Sequence, residues 1–306
     1  MTDRSPNFDM APDERPISKR AHISHSQVSM YQRCSWQYYL RYVKGVVARP
    51  ELPLEIGSAA HTALEANARS KVKTGVDLPV SDLRDLTSDL LDAAISYVDP
   101  ADLSEKDNPG KAKDDTIASI TLFRTKHAPT IYPVAVEFEF NWNVEPTETL
   151  EYPLRIINGR IDIIEGVKVN RGTGLAVKDY KVTGRRKPQL EVDLSAQLDL
   201  YDNVVHAATG KYPVEVGIRE FLPSNRTEPA RVEQILRSPE RMTPAYREAR
   251  RDRLIHTYQT TEKAISTGIF IPADDPKVCS WCGYRTQCQF STVKSDFEAA
   301  RIRAMT

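Results

Sequence analysis

Asp162, Asp179 and Lys181 are the residues of this 306-residue sequence whose types and spacing first suggest a reaction. Asp179 and Lys181 stand two apart in Leu175-Ala176-Val177-Lys178-Asp179-Tyr180-Lys181, a β-rich run, so strand alternation puts both on one face. Asp162 lies in a second such run, Asn158 to Glu165, and can share that face if the two strands are neighbours. Paired carboxylates bind Mg²⁺ or Mn²⁺, hard cations that prefer oxygen, and such ions activate water and offset charge on phosphate oxygens. A lysine beside them can orient the water and stabilise the charge of the transition state. Phosphodiester hydrolysis is the chemistry this set suits. An Asp-x-Lys pattern is short, and each piece alone reads equally well as a surface ion pair, so the elements around them must decide.

Those elements are consistent with one another. A Gly-containing turn from Val169 to Gly174 joins the two β-rich runs into a hairpin-like unit. Upstream, Val134, Val136, Phe138 and Phe140 alternate with polar residues that include Glu137 and Glu139, predicting a strand from about residue 131 with both acids on one face. A helix-compatible run, Leu54 to Ala68, carries His61. A helix over about 190–209 places Gln197 and Tyr201 one turn apart on one side. Strands are predicted over 213–222 and 230–236, and a long helix over 243–267. Arg185, Arg186 and Lys187 form a basic turn directly beyond the Asp179 strand, a position that suits phosphate contact.

Four cysteines make a second pattern. Cys279, Cys282 and Cys288 are spaced CxxCx5C, and Cys34 stands far away near the start. Three clustered and one distant cysteine suggest a metal centre rather than disulfides. By spacing alone a zinc ion and an iron–sulfur cluster fit equally well.

Taken together, these motifs resemble the PD-(D/E)XK nuclease superfamily. Gly159-Arg160-Ile161-Asp162 and Asp179-Tyr180-Lys181 look like its second and third motifs. Gly57-Ser58-Ala59-Ala60-His61 is similar to the histidine helix of its RecB branch, and Gln197 to Tyr201 matches that branch's QxxxY element. The motifs stand in the family's order. The resemblance implies a restriction-endonuclease-like α/β fold, a mixed central sheet flanked by helices. It implies divalent-metal ligation by His61, Asp162, Asp179 and the Tyr180 carbonyl, a Glu near the metals on the upstream strand, Glu137 in preference to Glu139, with Lys181 positioning water and with Gln197 and Tyr201 supporting the site and touching DNA. It also implies a 4Fe-4S cluster on Cys34, Cys279, Cys282 and Cys288, as in AddB nucleases and the CRISPR-associated Cas-four exonucleases. Such a staple closes a very long loop and stabilises the chain by lowering unfolded-state entropy, without a redox step. The implied activity is an exonuclease acting on DNA ends, single-stranded by preference, in recombination, repair or phage DNA processing. A non-catalytic iron–sulfur DNA-binding scaffold is the alternative.

Composition sets the outer limits. Residues 1–22 mix Pro, Asp, Arg and Ser without periodicity and are expected to be a flexible tail; residues 23–306 are expected to form one nuclease domain. Within it, 70–130 reads as an inserted helical lobe, and 24–45 with 270–306 as the iron–sulfur region, including a terminal helix over 293–303. Ser24 or Ser26 can cap one amphipathic helix running through Cys34 to Val43. Formal net charge is zero, so a DNA path has to come from local clusters, and Lys111, Lys113, Arg124, Lys126, Arg247, Arg250, Arg251 and Arg253 are candidates. No apolar run approaches a membrane span and no signal-peptide core is seen, so no membrane partner and a cytoplasmic location are expected. No Gly-rich phosphate loop is present, so any ATP-driven helicase motor would belong to a recombination partner.

Overall fold

The structure, a computed structural model, describes residues 22–100, 103, 107–144, 156–170 and 172–292. Most of the expected tail and the whole of the expected terminal helix over 293–303 lie outside these residues. Regular structure opens at His22, just inside the span assigned to the tail. The described residues gather into two compact units: 22–49, 143–144, 156–158 and 255–292 in the first, and 50–100, 103, 107–142, 159–170 and 172–254 in the second.

The first unit begins with strand β1 (His22–Ser24) and helix α1 (His25–Arg33). Ser24 caps α1 as expected: its hydroxyl accepts from the Gln27 backbone, and the Gln27 side chain accepts from the Ser24 backbone, a reciprocal box that satisfies two otherwise orphaned donors. The helix then stops at Cys34, whose backbone is extended at φ −162°, and restarts as α2 (Ser35–Tyr38) and a π-turn over Tyr39–Val43. The single helix expected here is therefore broken at the cysteine. Residues Ile156–Asn158 open strand β3 (Ile156–Val169) and pair in parallel with β1.

In the second unit, helices α3 (Leu52–Thr74), α4 (Val80–Ser96) and α5 (Pro109–Leu122) precede strand β2 (Pro133–Trp142). Strand β3 from Gly159 onward forms an antiparallel hairpin with β4 (Gly172–Val182), and β4 pairs in parallel with β5 (Glu215–Leu222), which pairs antiparallel with β6 (Arg231–Leu236). Short α6 (Gln189–Asp193) and α7 (Ala196–Thr209) carry the crossover between β4 and β5, the helical connection that parallel neighbours require. The strand order β1-β3-β4-β5-β6, with β2 also on β3, is a six-stranded mixed sheet flanked by helices, the restriction-endonuclease-like α/β class the sequence implies. Helix α8 (Pro244–Ser266) follows, and α9 (Pro276–Ser280) leads into the cysteine loop.

Packing explains why the site strands hold still. The α3 residues Ala60, Ala63, Leu64 and Ala68 bury against Ile163, Tyr180 and Phe221, a core shared by β3, β4 and β5. Gly159 is a glycine for a steric reason: a Cβ there would sit 2.7 Å from the Phe140 ring.

Candidate active site and cysteine centre

Sheet geometry brings the second unit's acids together. The β3–β4 ladder's last paired residues are Ile163 and Lys178. One step beyond, the Asp162 carboxylate takes the place of a backbone carbonyl and accepts from the Tyr180 backbone N–H at 2.7 Å. That bond fixes the carboxylate between the two strands. His61, presented by α3, brings Nδ1 to 3.6 Å from Asp162 Oδ2. Glu137 completes the group: ligand atoms of His61, Glu137 and Asp162 all lie within 4.8 Å of one another.

Glu137 reaches this position through backbone strain. Its φ is +50°, the only left-handed value at a non-glycine residue among those described. The expected two-residue period breaks there, so Glu137 and Glu139 do not share an environment. Glu139 is exposed, while the Glu137 side chain is only 10 % exposed and pairs with Arg160 at 2.8 Å. Burial, with Asp162 and Glu65 nearby, pushes the Glu137 carboxyl up to about 7.

Asp179 and Lys181 share a face as alternation requires, with Lys181 Nζ 2.6 Å from Asp179 Oδ2. Burial and the neighbouring Asp162 raise Asp179 to about 6, against the opposing pull of Lys181. Asp179 stands outside the three-residue group yet feels both Asp162 and His61. Tyr180 meets the group through its N–H. Its ring is buried on the other side against Phe123, Phe221 and Arg219.

Gln197 and Tyr201 lie one turn apart on α7, and both turn inward. Gln197 Nε2 donates to Asp179 Oδ1 at 3.0 Å and to the Tyr201 hydroxyl at 2.7 Å, and that hydroxyl donates to the Arg160 carbonyl at 2.9 Å. Tyr201 is 4 % exposed, so the expectation that it touches DNA gives way to a bracing contact between α7 and the two acid-bearing strands. The basic turn is divided: Arg186 pairs with Glu233 at 2.7 Å, Lys187 lies 3.5 Å from Glu191, and Arg185 is exposed with no ion pair among the described residues. Buried Glu220 accepts from the Lys187 backbone at 3.0 Å and holds this turn to the end of β5.

Most of the other candidate DNA cations are committed internally. Lys113 pairs with Asp92, Lys111 with Asp115, and Arg124 donates to the Leu78 carbonyl. Arg247 clasps Asp202 at 2.9 Å, and Arg250 and Arg237 both meet buried Asp199. This network on the far side of α7 was missed from sequence. The signal for it was the spacing of Asp199 and Asp202 opposite Arg247 and Arg250, each pair three apart on a helix.

A profile of the PD-(D/E)XK nuclease superfamily matches residues 22–289, most of the chain. The chain belongs to the PD-(D/E)XK nuclease superfamily. A search of curated proteins returned no match. Nucleases of this superfamily use divalent metals, and DNA is the substrate that membership implies. The donor set fits such an ion, since an imidazole and two carboxylates converge on one point, and burial, with the charge of neighbouring Asp162 added, raises Glu137 to about 7.

In the first unit of this PD-(D/E)XK protein, Cys34, Cys279, Cys282 and Cys288 line one narrow cavity, and none is in a disulfide. Cys34 sits in the helix break and accepts from the Ala273 N–H at 3.4 Å, and Cys282 accepts from the Tyr284 backbone. No helix among the described residues is long and apolar enough to cross a membrane.

Proposed function

We propose that this protein is a DNA exonuclease of the RecB branch that cuts at single-stranded ends and carries a structural 4Fe-4S cluster. The observation that carries the reading is the convergence of His61, Glu137 and Asp162 within 4.8 Å, beside the Asp179–Lys181 pair. His61 and the two acids would hold Mg²⁺ or Mn²⁺, with Asp179 and the Tyr180 carbonyl as further ligands. A divalent ion bound there lowers the pKa of an attacking water and draws off negative charge from the phosphate oxygens. Lys181, one-third exposed beside Asp179, is positioned to orient that water and to meet charge on the phosphate. Gln197 and Tyr201 keep Asp179 and the Arg160 backbone in register, and Arg185 offers a phosphate contact beyond the catalytic strand. The buried braces leave little freedom for these groups to drift, which is what positional catalysis requires.

The family likeness favours a cluster over zinc, since the cysteine spacing alone fits both. The N–H donors at Cys34 and Cys282 suit the extra charge of cluster sulfurs. A recombination, repair or phage setting, with a motor supplied by a helicase partner, is the context that the RecB likeness supports.

The test is cleavage of end-labelled single- and double-stranded DNA with Mg²⁺ or Mn²⁺. Wild type should shorten labelled single strands from an end, and Asp162→Ala and Lys181→Ala should lose at least about a thousandfold in rate. Equal activity in all three proteins would mark a contaminant, and cleavage of closed circles would replace exonuclease with endonuclease.

A further inference from the structure

The cysteine loop presents a tryptophan to solvent. Trp281 is 76 % exposed, more than Tyr132 at 63 %, and makes no ring contact among the described residues. Trp36 of the same unit behaves as a structural tryptophan should: it is half-buried against Tyr39 at 4.6 Å and Phe290 at 4.8 Å. A single exposed indole is ordinary on a protein surface, and the groups beside Trp281 decide what it can bind.

Charge names the partner. The segment 39–49 contains Arg41, Lys44 and Arg49 without an acid, and the segment 276–288 contains Lys277 and Arg285 without an acid. The two segments meet: the Arg49 N–H donates to the Gly283 carbonyl, and Arg41 bonds to Tyr284, three residues beyond Trp281. Arg41, Lys44 and Lys277 are exposed, and none of the three is in an ion pair among the described residues. Asp274 and Asp275 stand at the edge, and Asp275 is spent in capping α9 through the Lys277 N–H at 2.8 Å. In a chain whose formal net charge is zero, the exposed Arg41, Lys44 and Lys277 on two touching segments are a local cluster of positive charge. Cations tracking a backbone, with an aromatic face for a base, are how single strands are bound without sequence preference. Inside a duplex the base faces are hidden in the stack, so a single strand offers Trp281 a face at every base where a duplex offers one only at its ends.

We infer that this face of the cysteine unit is a single-stranded nucleic-acid surface, on which a base stacks on Trp281 while Arg41, Lys44 and Lys277 meet phosphates. The inference rests on the nuclease reading for the class of substrate, but not on the catalytic acids. It makes the cysteine unit a binding element, with the thiol centre holding the loop that carries the indole.

The experiment measures anisotropy of a labelled oligothymidylate with the full chain in buffer free of divalent ions, where no cleavage occurs. Trp281→Ala should weaken binding about tenfold, in line with the loss of one base–aromatic stack, and Trp281→Phe should recover most of it. Lys44→Ala should lower the slope of log affinity against log salt by about 0.7, one phosphate on a single strand. Visible absorbance reports the cysteine centre in each variant. Unchanged affinity in Trp281→Ala, or an equal loss for duplex, overturns the proposal. So does loss of a dimer in sedimentation with oligonucleotide affinity unchanged, which reassigns the face to contact between copies. If the Ala variant misfolds, an unchanged salt slope in Lys44→Ala overturns it instead. Cleavage by wild type with Trp281-independent binding removes this surface and leaves the nuclease; Trp281-dependent binding without cleavage does the reverse.

Discussion

The acids of the second unit and the thiols of the first are both convergent ligand sets, but they are built in opposite ways. Asp162 and Asp179 come from adjacent strands of one hairpin, and His61 and Glu137 are brought in by a packed helix and a strained strand. Their ligand atoms crowd, and burial, with like charge added, raises Glu137 and Asp179. The four thiols come from a helix break and a loop far apart in sequence, and they line one narrow cavity. On the proposed reading the first set holds a catalytic ion and the second a structural cluster.

That contrast can be broken first at the thiols. Cys282→Ser should abolish visible absorbance and lower Tm on the order of 10 °C, roughly 3–5 kcal/mol for a chain of this size. Mn²⁺ affinity at the acids, followed by titration at a temperature where the variant is folded, should be unchanged. A loss of Mn²⁺ binding with no loss of Tm would invert the comparison.

A middle-sized effect should come from the braces. Gln197→Ala leaves Asp179 Oδ1 without its amide donor and should cost about ten- to a hundredfold in kcat, as for other partners that orient a metal ligand. Kinetics that move KM alone would argue that Gln197 only touches substrate.

The smallest effect sharpens the claim that the acids are in conflict when no ion is present. Folded Glu137 holds its proton to about 7 against an ordinary 4.5, so the chelated protein should lose stability as pH rises through that window. Glu137→Gln removes the ionising group and should flatten this decline, with Tm at pH 8 in chelator up by a few degrees and the gain from Mn²⁺ reduced. A Tm that falls in the Gln variant under chelator would show the acid to be stabilising.

Much of this was legible in the chain because the physics is local. A two-residue period and a glycine turn set the Asp162–Asp179 face, and cysteine spacing set the thiol loop. Burial of Tyr201 was not legible, because a QxxxY helix looks the same whether its tyrosine faces solvent or a strand. The strain at Glu137 breaks an alternation that the residue types obey, and only tertiary packing reveals it. The break at Cys34 was hidden because Val28 to Val43 keeps helical spacing through it. Arg247 and Arg250 read as a basic stripe until Asp202 and Asp199 come to face them.

The central claim is that one divalent ion is shared by His61, Glu137 and Asp162, and anomalous diffraction from crystals soaked in Mn²⁺ tests it directly. The account requires a peak bonded to the imidazole and to both carboxylates, lost in Asp162→Asn. A Mn²⁺ peak elsewhere in the second unit, with these three side chains left unligated, would contradict it.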